Sequence, residues 1–201
     1  MDFEPSESQR AILEAVDALL AQRAGPGRAI AVAAKGDYDF ALDGALADAG
    51  FMGVASADGA GPLEAALVCE ACARAAGVVA YGAYALVASA VCDRELVGPV
   101  ALARAGQRGP IRFAVHARSV LVLDGAEARL VTLEPGDAQP VASSFGYPMG
   151  LVTEAALAGG VPLGAGGSII LTIGADLTVD SATAVAGIFQ PLNYTIAVAY
   201  N

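Results

Sequence analysis

Apolar positions recur at helical spacing up to about residue 92 and at strand spacing beyond about residue 110, and this change of period divides the chain. Ile12, Leu13, Val16, Leu19 and Leu20 share one helical face. Ser6 and Gln9 have the spacing of a capping box, which starts that helix near Glu7, and Gly25-Pro26-Gly27 ends it. Residues 25–37 read as loop or short irregular structure, within which Ala29 to Ala34 is able to be helical. A second helix covers about Tyr38 to Ala49. Leu42, Leu46 and Ala49 form its face, and Gly50 supplies the residue without a Cβ that commonly ends a helix in the left-handed region. The run Gly53 to Gly61 is too glycine-rich for regular structure. Pro62 suits the first position of a third helix, running to about Ala76, with Leu63, Leu67, Val68, Ala71 and Ala75 on its apolar face. A fourth helix, about Val79 to Cys92, is apolar almost all round and is predicted to be the most buried.

Past Asp93 the pattern changes. Leu96 to Ala105 fits one or two further helical turns, and Gly106 to Pro110 breaks the chain. Ile111 to Val115, Ser119 to Leu123 and Ala128 to Leu133 then read as strands, with Asp124-Gly125 as a hairpin signal between the last two. Val131 to Gly136 ends in a turn with Pro135-Gly136 at its corner. Ile169 to Ile173, Ala184 to Phe189 and Tyr194 to Ala199 read as more strand. The chain is therefore predicted to be α+β: an amino-terminal helical bundle over residues 1–105, then a small, mostly antiparallel β domain over residues 106–201.

Composition narrows the functional classes. A chain of 201 residues can bury about 70% of its unfolded surface, enough for a real core. A formal charge of -10 and a pI near 4.4 argue against a nucleic-acid partner, since phosphate binding needs a basic surface. All eleven Lys and Arg fall within residues 1–129, so residues 130–201 carry acids and no base. Two uncharged runs, Ala75 to Cys92 and Ala155 to Ala175, raise the question of a membrane. The first is Ala- and Gly-rich with Tyr81 and Tyr84, and the second is broken by Gly159-Gly160, Pro162 and further glycines, so neither is read as a span. With no signal-peptide pattern at the start, Cys69, Cys72 and Cys92 read as reduced thiols of a cytoplasmic protein. Cys69 and Cys72 form a CxxC inside the third helix with no second pair and no nearby His, which favours core residues over a metal site.

The stretch LADAGFMGVASADGAGPLEAALVCEACARAAG, residues 46–77, resembles the amino-terminal helical domain of acyl-CoA dehydrogenases. There a leucine-x-x-x-Gly-aromatic-x-Gly turn leads through a Gly-rich loop into a helix bearing Glu-Ala-Ala-Leu-Val-x-Glu. The opening MDFEPSESQRAILEAVDALLAQ is similar to that family's start. The resemblance covers residues 1 to about 165 and is clearest to about 92. It implies a flavin enzyme of lipid metabolism that removes two hydrogens across the α,β bond of an acyl-CoA thioester. Such chemistry requires a carboxylate base, FAD as hydride acceptor and donors to the thioester carbonyl.

The family's base lies on a carboxy-terminal helical domain, and nothing after Gly167 has that pattern, so no catalytic residue is assigned. Glu154 reads as a surface or cap residue. For the cofactor, the family uses a strand of the form aromatic-x-x-Thr-Glu-Pro. By position GPIRFAVHAR occupies that strand, which makes Phe113, Val115 and His116 the candidate FAD-binding residues. Only Phe113 matches outright, and the chain has no Trp for the second flavin contact. His116, the one histidine, either meets a flavin ring edge or caps its strand. The Gly53 to Gly61 loop lacks a P-loop Lys and follows a helix, so it is no phosphate cradle. What the resemblance implies is a degenerate or truncated subunit, taking an acyl-CoA substrate in a homo- or hetero-oligomer of acyl-CoA dehydrogenase-like chains, with FAD held mainly by the partner. The alternative is a non-catalytic interaction protein with a self-associating β tail, because residues 169–199 have few charges to block edge pairing.

Overall fold

Helix α1 (Glu7–Arg23) begins at the predicted capping box: the Gln9 N–H donates to Ser6 Oγ at 3.2 Å, and the Ser6 N–H donates to Gln9 Oε1 at 2.9 Å. In this computed structural model the described residues are 4–92, 96, 98–125, 127–144 and 146–163, together with the backbone of 168–171 and 196–199. Val16 and Leu20 of α1 are buried against α4 (Pro62–Arg74), whose Ala65, Val68, Ala71 and Cys72 face them across the helical core. Between these two helices lie α2 (Pro26–Ala33), which settles most of the ambiguous 25–37 stretch as helix, and α3 (Phe40–Asp48). Gly50 takes the predicted left-handed conformation, with φ of 79°.

The chain then forms a 3₁₀ segment, Phe51–Ser56, in part of the run expected to be irregular. Phe51 and Val54 stand three residues apart, the 3₁₀ repeat, and both are buried, so two core contacts organise what the glycines left free. After α4, the backbone from Tyr81 to Val91 is helical and includes a π-helical turn, Ala83–Ala88, that runs into α5 (Ser89–Val91). The helix expected over Val79 to Cys92 was predicted to be the most buried, and Val79 and Ala80 just ahead of the helical backbone are buried. Within Tyr81 to Val91 only Tyr81, Ala85 and Ala88 are buried, Tyr81 and Ala85 in the helical core and Ala88 against the first sheet.

In the stretch expected to hold one or two further helical turns, Val100–Arg104 is strand β1. The reason is its partner. β1 lies parallel to β3 (Ser119–Asp124), with Val100 opposite Ser119 and Arg104 opposite Leu123. The sheet thus begins before the boundary expected at residue 105. β3 continues by a hairpin into β4 (Glu127–Thr132), with Asp124 opposite Glu127, so Gly125, φ 58°, is the first of the two loop residues. β7 (Val161–Pro162) closes the order β1-β3-β4-β7. Ser119 to Val122 are buried on both faces, which accounts for the unbroken apolar run there.

A second sheet has the order β2-β6-β5, from β2 (Ile111–Arg112), β5 (Ala138–Val141) and β6 (Met149–Val152). β2 is shorter than the predicted Ile111 to Val115, because the chain turns at Phe113. The predicted Pro135-Gly136 turn is present, with the Glu134 N–H donating to Asp137 Oδ2 at 2.8 Å. Glu154 opens the short α6 (Glu154–Ala158), capped by the Thr153 hydroxyl. β8 (Ser168–Leu171) pairs antiparallel with β9 (Ile196–Ala199); β8 overlaps the first predicted tail strand and β9 lies within the last. The predicted strand Ala184 to Phe189 lies outside the described residues.

Helices come first and strands follow, an α+β fold as the pattern predicts. Its two halves share a core. Ala88 packs with Leu96, Val100, Leu121 and Leu130, joining the π-helical turn to the first sheet, while Phe113 from the β half is buried in the helical core. Among the described residues no helix is long and apolar enough to cross a membrane.

Candidate functional site

The seam between the helices and the sheets gathers most of the buried polar and aromatic chemistry. Tyr38, at the entry to α3, is 3% exposed. Its hydroxyl donates to Asp43 Oδ1 at 2.6 Å and accepts from the Ala80 N–H at 2.9 Å. Burial, reinforced by the Asp43 carboxylate, pushes the Tyr38 hydroxyl far above its usual value and keeps it protonated. Burial also raises the Asp43 carboxyl, with Asp39 adding to the effect and the Tyr38 hydrogen bond opposing it. Asp43 is thus a carboxyl whose charged form is disfavoured, with one oxygen held by Tyr38.

Asp39, next in the chain, is buried yet behaves oppositely. Its burial would raise the carboxyl, but Arg28 donates to both oxygens at 2.5 Å, the Leu42 N–H donates at 3.0 Å, and together they hold it below the usual carboxylate value. Asp39 therefore caps α3 and pins α2 to it. The Tyr81 hydroxyl, also buried, donates to the Phe51 carbonyl at 2.8 Å.

Two cavities open along this seam and share Ala80 and Val100. The larger, about 390 Å³, is lined by Tyr38, Asp43, Met52, Tyr84, Leu96 and Pro99 among others. The smaller, about 260 Å³, lies between α4, residues 77–83, β1 and the Arg112-Phe113 turn. Among the described residues no group of three His, Cys, Asp or Glu is placed to hold a metal ion.

The three flavin candidates sit in one tight turn after β2 rather than along a strand. The Phe113 N–H donates to the Pro148 carbonyl at 2.7 Å, and the His116 and Ala117 N–H groups donate back to the Phe113 carbonyl at 3.0 Å. Phe113 has φ of +66°, a left-handed conformation costly for a bulky residue, and it is 4% exposed. Its ring packs edge-on against Tyr38 at 5.4 Å and Tyr147 at 5.8 Å. His116 Nε2 is 3.0 Å from the Gly36 carbonyl, and its ring meets Phe40 at 5.9 Å. Val115 packs against Gly150 so closely that a Cβ there would lie 2.9 Å from the Val115 nitrogen. The side chains of Phe113 and His116 are taken up by the protein's own packing, and this turn does not fit a flavin ring. It fastens the second sheet to the helices instead.

Sequence reasoning missed Tyr38, Asp43 and Arg112. The available signal was weak: a Tyr-Asp-Phe step at the start of a helix, and an arginine beside the one aromatic of the turn after β2. Their proximity depends on contacts across long stretches of chain, such as Tyr38 with Ala80.

No known family model matches the sequence, and no curated protein does. Among solved structures, the chain is similar to one in the ChsE4-ChsE5 complex from Mycobacterium tuberculosis, with a TM-score of 0.54 and 19% identity. The match covers 81% of this chain and 58% of that one, so this chain spans little more than half its neighbour's length. At that identity the likeness is one of fold.

Proposed function

We propose that this chain is an acyl-CoA dehydrogenase-type subunit that works in a complex with another chain of the same type. The fold likeness carries the reading: the neighbour is a complex of acyl-CoA dehydrogenase type, and its match extends over 81% of this chain. The two amino-terminal segments that resemble the same family support it independently. The Phe113 to His116 turn is committed to packing, and no carboxylate of this chain stands on a match to the family's catalytic base. In this reading the partner chain therefore supplies the base and holds most of the FAD, in a cytoplasmic enzyme acting on an acyl-CoA thioester. This chain contributes a helical face and a sheet to the assembly.

The experiment is co-expression with the product of an adjacent family-like gene. The expected result is a stable hetero-complex with a flavin absorption band, and no such band for this chain purified alone. A complete lack of association and of flavin in both samples overturns the reading.

A second reading, a non-catalytic interaction protein, is favoured by one observation: strands β8 and β9 pair with each other in a tail without a single Lys or Arg. Deleting residues 167–201 would then convert an oligomer into a smaller soluble species. An unchanged elution volume would count against it.

A further inference from the structure

The smaller cavity has the composition of a binding slot. Its walls include Cys69, Ala73, Val79, Ala83 and Leu102, and Arg112 is the one charged side chain among the described residues that line it. The Tyr81 hydroxyl is already committed to Phe51. Burial keeps both thiols protonated, with Cys72 pushed up to about 12, so no thiolate neutralises the arginine.

Arg112 is held by its face. Its guanidinium carbon lies 3.7 Å from the ring centre of Tyr147 and 4.6 Å from that of Phe113. Stacking engages the π face and leaves the in-plane N–H donors uncommitted. Among the described residues no carboxylate lies within ion-pair distance of Arg112, although the protein carries an excess of acids. A planar, oriented cation beside an apolar slot is matched by a ligand with a hydrocarbon body and a carboxylate that accepts two parallel hydrogen bonds.

We propose that this slot binds a small amphiphilic carboxylate, its hydrocarbon part between α4 and β1 and its carboxylate on Arg112. The proposal uses no flavin and no motif of the acyl-CoA dehydrogenases, so it stands or falls apart from the function proposed above.

Hexanoate is the probe, with 1-hexanol and hexylamine as matched controls on the full chain. Cys69 reports occupancy, because it is half-buried in the slot wall. Its alkylation by iodoacetamide, run at alkaline pH so that part of the thiol ionises, is followed by peptide mass spectrometry, with Cys92 as reference. Hexanoate is expected to slow Cys69 alkylation several-fold without changing Cys92, while hexanol and hexylamine require about tenfold more ligand or fail. Arg112→Gln is expected to weaken hexanoate by about tenfold, to the level of hexanol, with Arg112→Lys between the two. Equal protection by hexanoate and hexanol, an Arg112→Gln protein that responds like the parent, or no protection at Cys69 overturns the proposal. Should Arg112→Gln fail to fold, the comparison of hexanoate with hexanol on the unmodified protein decides alone.

Discussion

Neighbouring acids at the start of α3 have opposite fates, and the difference lies in who donates to them. Asp39 has Arg28 and a backbone N–H, whereas among the described residues Asp43 has the Tyr38 hydroxyl alone. Replacing Asp39 with Ala removes the ion pair and the α3 cap together. The expected cost in urea unfolding is about 2 kcal/mol, below that of a fully buried pair because Arg28 is 43% exposed and partly screened. Since the folded Asp39 carboxyl lies below its unfolded value near 3.8, its contribution is complete above that pH and is lost as pH falls through the lower folded value. Asp43 has the reverse sign, its raised carboxyl costing stability once it ionises. Asp43→Asn, which keeps an acceptor for Tyr38, is therefore expected to hold or slightly raise the melting temperature at neutral pH. Tyr38→Phe leaves the Ala80 N–H without its acceptor and should cost about 1–3 kcal/mol by the same urea measurement.

At the scale of elements, local signals decided the outcome where the local signal was strong. The Ser6-Gln9 box, Gly50, Pro62 and the Asp124-Gly125 hairpin all act within a few residues, and each element they mark stands where the pattern predicts. Ser6→Ala is accordingly expected to cost about 1 kcal/mol, seen as a lower melting temperature. Where an element depends on a distant partner, the pattern misled. Val100–Arg104 has apolar residues that suit helix or strand, and only its parallel register with β3 makes it a strand. Ile111 to Val115 reads as one strand, yet Phe113 leaves the sheet to fill a hole in the helical core. The candidate site was the least legible part. Phe113, Val115 and His116 were named as flavin contacts from the resemblance, and Phe113 and His116 lie in a turn packed against the helices, whereas Tyr38, Asp43 and Arg112 acquire meaning only from contacts across the seam. The tight approach of β6 to the turn gives a further test: Gly150→Ala places a Cβ 2.9 Å from backbone at Val115 and should cost about 1–3 kcal/mol, read by urea unfolding.

Among the described residues, the aromatic group Tyr38, Phe40, Phe113 and Tyr147 ties the helices to the segments that flank the second sheet. Helical and β halves that share a core are expected to unfold together. Far-ultraviolet circular dichroism, dominated by the helices, and tyrosine fluorescence from the seam should give coincident urea transitions, and separate midpoints would show that the halves are independent.

The parallel pairing of β1 with β3 has a consequence for a chain leaving the ribosome. Residues 100–104 have nothing to pair with until residue 123 has been made, and the helical core stays open on one side until Phe113 and then Tyr147 arrive. During that interval the Tyr38 ring that Phe113 later covers is open to whatever the cell offers, and the nascent bundle reaches its closed form only when translation has passed well into the strands.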